Sequence, residues 1–107
     1  MSKKWFHAYA VADVNISEVE DFRCNVNMII TDVRIRSPDI MVDLPETTTE
    51  MLQEMYFTEN PDYSRVYIDF DIFCESEAKF RGILKYLQVK TNTFSNIFIQ
   101  YETYNCF

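Results

Sequence analysis

A single glycine, Gly82, is all that 107 residues contain. Phosphate-cradling loops and the dinucleotide fingerprint need several residues without a Cβ, so nucleotide binding by those routes is excluded. Histidine is as scarce, with His7 alone. The cysteines Cys24, Cys74 and Cys106 lie far apart and form no CxxC pair, so a zinc cage lacks ligands. No stretch approaches the roughly 18 apolar residues of a membrane span. The N-terminal segment carries Lys3 and Lys4 ahead of an alternating stretch rather than an apolar h-region. These absences give the expectation of a cytoplasmic protein with reduced thiols, in the host cytoplasm if the protein is viral.

Cations are missing from one region in particular. Between Arg36 and Arg65 there is no lysine or arginine, and Asp39, Asp43, Glu46, Glu50, Glu54, Glu59 and Asp62 occupy the gap. These seven acids equal the whole formal charge of −7, because the other ten acids are balanced by ten bases. A one-signed field over a quarter of a small chain steers it toward basic partners and away from nucleic acid and anionic membrane. Lys3, Lys4, Arg34 and Arg36 are the one local excess of positive charge, too small for a nucleic-acid groove.

What the chain has in quantity is aromatic side chains: nine Phe, seven Tyr and one Trp. With 48% hydrophobic and 25% charged residues, the composition is that of a single globular domain, 1–107, with a genuine core. Abundant Asn, Ile, Phe, Tyr and Lys beside little Ala and Gly suggest an AT-rich genome, as in many phages.

Periodicity supplies the elements. Residues 5–14 alternate, with Phe6, Ala8, Ala10, Ala12 and Val14 on one face and Trp5, His7, Tyr9, Val11 and Asp13 on the other. The alanines form a floor on which a helix can lie closely. Residues 17–36 carry two patterns at once. Ser17 and Glu20 read as a capping box, and Val19, Phe22, Val26, Ile29, Ile30 and Val33 fit a helical stripe; Phe22, Cys24, Val26, Met28 and Ile30 also alternate. The density of β-branched residues and the asparagines favours a long bent strand with a parity flip, the mark of a bulge. A short strand is expected over 40–44, then a helix from a Thr47–Glu50 capping box to about residue 57. A strand follows over 65–73, with Val66, Ile68, Phe70 and Ile72 inward and Tyr67, Asp69 and Asp71 outward. Ser76 or its neighbour opens a helix with Phe80, Ile83, Leu84 and Leu87 on its apolar stripe, and a last strand covers 97–104. The order predicts an α+β two-layer sandwich: a mostly antiparallel sheet of about five strands with two helices on one face.

Catalytic chemistry finds few candidates. Asp69 and Asp71, two residues apart on one strand face, with Glu75 and Glu77 close by, suit a hard cation such as Mg²⁺. An outward-facing, solvated pair explains the same spacing. His7 sits on an aromatic strand face, where a histidine is more often structural than basic. No nucleophile elbow is present, and no cofactor is implied. Glu46, Glu50 and Glu54 recur every four residues on the first expected helix, with Met51, Leu52 and Met55 facing the sheet.

The reading favoured by these features is a non-enzymatic interaction protein, concretely a phage-type inhibitor of a host nucleic-acid-handling or defence protein. Its partner-binding residues are Asp39, Asp43, Glu46, Glu50, Glu54, Tyr56, Glu59, Asp62 and Tyr63. The partner is a basic protein, with no direct nucleic acid and no membrane. The alternatives are a small metal-dependent enzyme using Asp69 and Asp71, and a self-assembling subunit or homodimer that pairs its last strand.

Overall fold

A computed structural model describes residues 2–57 and 62–104. Four strands, β1 (Lys4–Val14), β2 (Met41–Asp43), β3 (Ser64–Cys74) and β4 (Gln100–Thr103), form one sheet in the order β2-β3-β1-β4. Every neighbouring pair is antiparallel. Three helices connect them: α1 (Val19–Arg36), α2 (Thr49–Tyr56) and α3 (Glu77–Phe94). β2 therefore runs parallel to β1 with β3 inserted between them, and β4 runs parallel to β3 with β1 inserted, so two β-α-β units interleave. The expected class of α+β sandwich is the observed one, with one strand fewer and one helix more.

That exchange comes from residues 17–36, where the bent strand is corrected to a helix. Burial decides the matter: Val19, Phe22, Val26, Ile29, Ile30 and Val33 are buried on α1, whereas the alternating pattern would need Met28 inside and it is 59% exposed. Burying these six side chains contributes roughly 1.5–3 kcal/mol each. The helix penalty of a β-branched residue is well below about 1 kcal/mol, so packing overrides propensity. The start signal also lies earlier than expected. Asn15 Oδ1 accepts the Ser17 amide at 3.0 Å, and the Asn15 amide donates to Glu18 Oε1 at 3.0 Å, closing a capping box around a single 3-10 turn, Ile16–Glu18. Glu20 and Asp21 in the first turn and Arg34 and Arg36 in the last oppose the helix dipole.

Helices α1 and α3 cover one face of the sheet. Ala8, Ala10, Ala12 and Val14 of β1 and Val66, Ile68, Phe70 and Ile72 of β3 form the floor of a core that includes the α1 stripe and Phe80, Ile83, Leu84 and Leu87 of α3. Ser76 caps α3, its hydroxyl accepting the Lys79 amide at 3.1 Å. β1 and β3 pair along their full length, from Lys4 opposite Cys74 to Val14 opposite Ser64. β2 pairs only with the last part of β3, Phe73 to Asp71, and α2 packs against β3 and α1.

The cap of α2 is Thr48, whose hydroxyl accepts the Met51 amide at 3.2 Å, so the expected Thr47–Glu50 box gives way to a single cap one residue later. Glu46 then lies before the helix, and the acidic stripe shortens to Glu50 and Glu54. Of the three apolar residues expected to face the sheet, only Leu52 is buried, while Met55 is 64% exposed and Met51 is exposed as well. An eight-residue helix inserts one side chain into the core and leaves the flanking methionines outside. The closing strand is shorter than expected, but Ile97 and Ile99 ahead of it are still buried.

Candidate functional site

The sheet face opposite α1 and α3 carries the most unusual chemistry. Strand register arranges its side chains in rows across the sheet. Met41, Phe73 and Trp5 make an apolar row, and Trp5 and Phe73 rings meet at 5.0 Å. In the next row Asp43 stands directly opposite Asp71, and Asp71 opposite His7. The backbone amide of Tyr104 bonds the His7 carbonyl at 3.3 Å and brings Tyr104 alongside. Asp69, Tyr9 and Glu102 follow, then Tyr67, Val11 and Gln100, and last the Arg65–Asp13 pair at 3.0 Å.

Four carboxylates, Asp43, Asp69, Asp71 and Glu102, thus share a face with one imidazole. Like charges directly opposite on neighbouring strands are destabilising, as at Asp43 and Asp71. The neighbouring polar groups relieve part of this. His7 Nδ1 donates to Asp71 Oδ1 at 2.5 Å, the Tyr9 hydroxyl donates to Glu102 Oε2 at 3.1 Å, and the Tyr104 hydroxyl donates to Asp69. Acceptance by Asp69 raises the Tyr104 phenol well above its ordinary range. Burial, then the Glu102 hydrogen bond, raises Tyr9; burial, then the Asp69 charge, raises Tyr56. The Tyr9 and Tyr104 phenols stay protonated donors and hold Glu102 and Asp69 beside their rings. The rings themselves form a chain, with Tyr9 at 4.8 Å from Tyr104 and 5.6 Å from Tyr67, and Tyr67 at 5.8 Å from Tyr56.

The acidic stretch itself does not fold into one patch. Asp39, ahead of β2, accepts Lys3 Nζ on its carbonyl at 2.5 Å and has Lys79 at 4.0 Å from its carboxylate. Glu46 lines a cleft with Arg23 and Arg34, and Glu50 shares another with Arg23 and Glu20. Arg23, paired with Glu20 at 2.6 Å, and Arg34, bonded to the Val42 carbonyl at 2.7 Å, thus stand in the clefts of Glu46 and Glu50, and Lys79 faces Asp39. Glu54, Asp62 and Tyr63 are exposed, and Tyr56 is half-buried against Tyr67 rather than a free anchor. Glu59 lies outside the described residues. Among the described acids of the stretch, Asp43 alone joins the outer face of the sheet. Sequence reasoning placed Trp5, His7, Tyr9, Tyr67, Asp69 and Asp71 on outer strand faces, but missed Glu102 and Tyr104 as their neighbours. The alternation of residues 100–104 was the available signal.

Asp69 and Asp71 are each engaged, with Tyr104 and His7, and among the described residues no three His, Cys, Asp or Glu side chains come together as a metal-ligand set. Glu77 pairs instead with Arg81 at 3.5 Å. No thiol–imidazole pair forms among the described residues either. Cys74 is buried in the core while His7 lies on the opposite sheet face. The Cys24 thiol donates to Glu20 at 3.2 Å, which raises its pKa and keeps it protonated. A groove of about 580 Å³ lies between α1 and α3, with Met28, Ile35 and Phe94 as its apolar lining. Its Arg36 is held by Asp32 at 3.0 Å.

No protein-family model matches the chain, and no curated protein matches it. Among solved structures, the chain is similar to a de novo designed protein with a ferredoxin fold determined by NMR in solution. The TM-score is 0.55 at 11% identity, over 99% of this chain and 88% of the designed one. The likeness concerns the fold alone. Among the described residues, no helix is long and apolar enough to cross a membrane.

Proposed function

We propose that this protein is a non-enzymatic interaction protein that docks an acidic, ring-bearing surface on a basic groove of a protein partner. Its most concrete version is a phage-type inhibitor of a host nucleic-acid-handling or defence protein. The observation that carries the reading is the convergence of Asp43, Asp69, Asp71 and Glu102 on an exposed sheet face where, among the described residues, His7 sits beside Asp71 and the one cation, Arg65, is already paired with Asp13. A partner's lysines and arginines relieve the repulsion that the fold tolerates there. The exposed acids Glu50 and Glu54 of α2, with Asp62 ahead of β3, extend the field and guide the encounter.

Charge reversal separates the two roles. Glu50→Lys with Glu54→Lys slows association with the captured partner, and Asp69→Lys mainly speeds dissociation. Unchanged affinity and association rate in the Glu50/Glu54 variant would remove the acidic edge from the function.

Self-assembly is the second reading, favoured by β4. Among the described residues this four-residue strand pairs with β1 alone and lies at the edge of the sheet, preceded by the exposed Phe98. A strict monomer at micromolar concentration sets it aside.

A further inference from the structure

The rings on the outer face are placed in a way that a purely electrostatic surface does not require. Resting on the proposed docking function, we infer that this face selects arginine side chains over lysine side chains in its partner. Trp5 and Tyr104 are the most exposed of the face's rings, 43% and 45%, and they flank Asp71 and Asp69. Tyr104 is hydrogen-bonded to Asp69, and Trp5 is the diagonal neighbour of Asp71 across the β1–β3 pair. Tyr9 repeats the arrangement with Glu102. Asp69 and Glu102 are therefore held at the rim of an aromatic ring by a hydrogen bond, and register places Asp71 diagonal to another.

A lysine ammonium meets such a site as a point charge and keeps its hydration. A guanidinium is planar, stacks on the ring and directs two N–H groups into the adjacent carboxylate. Each phenol occupies one of about four lone-pair directions on its carboxylate, so the remaining oxygen sites stay open to the fork. The rings contact one another at 4.8 to 5.8 Å, too closely to enclose a cation as a cage, so the guanidinium lies on their outer faces. The apolar row of Met41, Phe73 and Trp5 borders the same site and receives the aliphatic part of an arginine side chain.

The test is a titration of the full chain with hexa-arginine and hexalysine peptides of matched charge, at low and at about 0.15 M ionic strength. The fluorescence of the single tryptophan, Trp5, and calorimetry serve as readouts. The wild type is expected to bind the arginine peptide more tightly, by about threefold or more. In Tyr104→Leu and in Trp5→Leu, followed by calorimetry, that ratio falls toward one. Glu50→Lys with Glu54→Lys weakens both peptides by the same factor and leaves the ratio intact. Equal affinities in the wild type, or a ratio indifferent to both ring substitutions, would overturn the arginine preference while leaving the acidic docking function standing. Failure of both peptides to bind at low salt would overturn the docking function and the arginine preference together. A wild-type dimer in sedimentation that Trp5→Leu dissociates would place a second copy on the face and overturn the inference as well.

Discussion

Tyr101 illustrates how one residue ties the sheet to a helix. Its ring lies in the core beneath α3, 6.2 Å from Phe70, and its hydroxyl meets the fully buried Thr91 hydroxyl at 3.0 Å. Burial pushes the phenol up to about 12 from 10.0, partly offset by Thr91. A folded-state pKa above the unfolded value gives stability that is complete below pH 10.0 and is lost as pH rises through about 12. Urea midpoints measured upward from neutral pH should therefore fall once that window is entered, and fall less steeply in Tyr101→Phe. At neutral pH the same substitution costs about 1–3 kcal/mol, because the Thr91 hydroxyl loses its partner inside the core. A midpoint unchanged at neutral pH would show that Thr91 finds another acceptor.

At the scale of elements, α1 decides what the fold is. Phe22→Ala is expected to cost about 3–5 kcal/mol, since its ring is wholly buried between helix and sheet. Met28→Ala should stay within about 0.5 kcal/mol. Chemical denaturation of the two variants distinguishes the helix from the alternating strand, in which both side chains would share the buried face. β1, β3 and α3 were legible because their apolar period admits one reading and, at Ser76, a cap supports it. α1 was not, because Val26, Ile29, Ile30 and Val33 satisfy helix spacing with residues that favour strands. The choice rests on the alanine floor of β1, which lies beneath α1 only in the folded chain. For α2 the threonine run offered three adjacent caps, and Glu46 precedes every one of them, so the acidic stripe on the helix is Glu50 and Glu54 alone.

For the whole molecule, the interleaved topology determines the surface. Inserting β3 between β1 and β2, and β1 between β3 and β4, brings Asp43, Asp71, His7 and Tyr104 into one row from four separate parts of the chain. The inward and outward faces of β1 and β3 were readable one strand at a time, but strand order is a property of pairing that no local pattern encodes. The acidic stretch was legible as a run of residues and misleading as a shape, because Lys3, Arg23, Arg34 and Lys79 fold back onto part of it. Among the described acids of that stretch only Asp43 reaches the open sheet face, where it joins Asp69, Asp71 and Glu102. The claim that this face binds a basic protein is tested most directly by affinity capture from a bacterial lysate at low and high salt, comparing the wild type with an Asp43→Asn, Asp69→Asn, Asp71→Asn variant that is confirmed to be folded. A basic, nucleic-acid-handling protein is expected to be retained by the wild type, released by salt and lost with the variant. Retention of the same protein by the variant, or release that ignores salt, would contradict it.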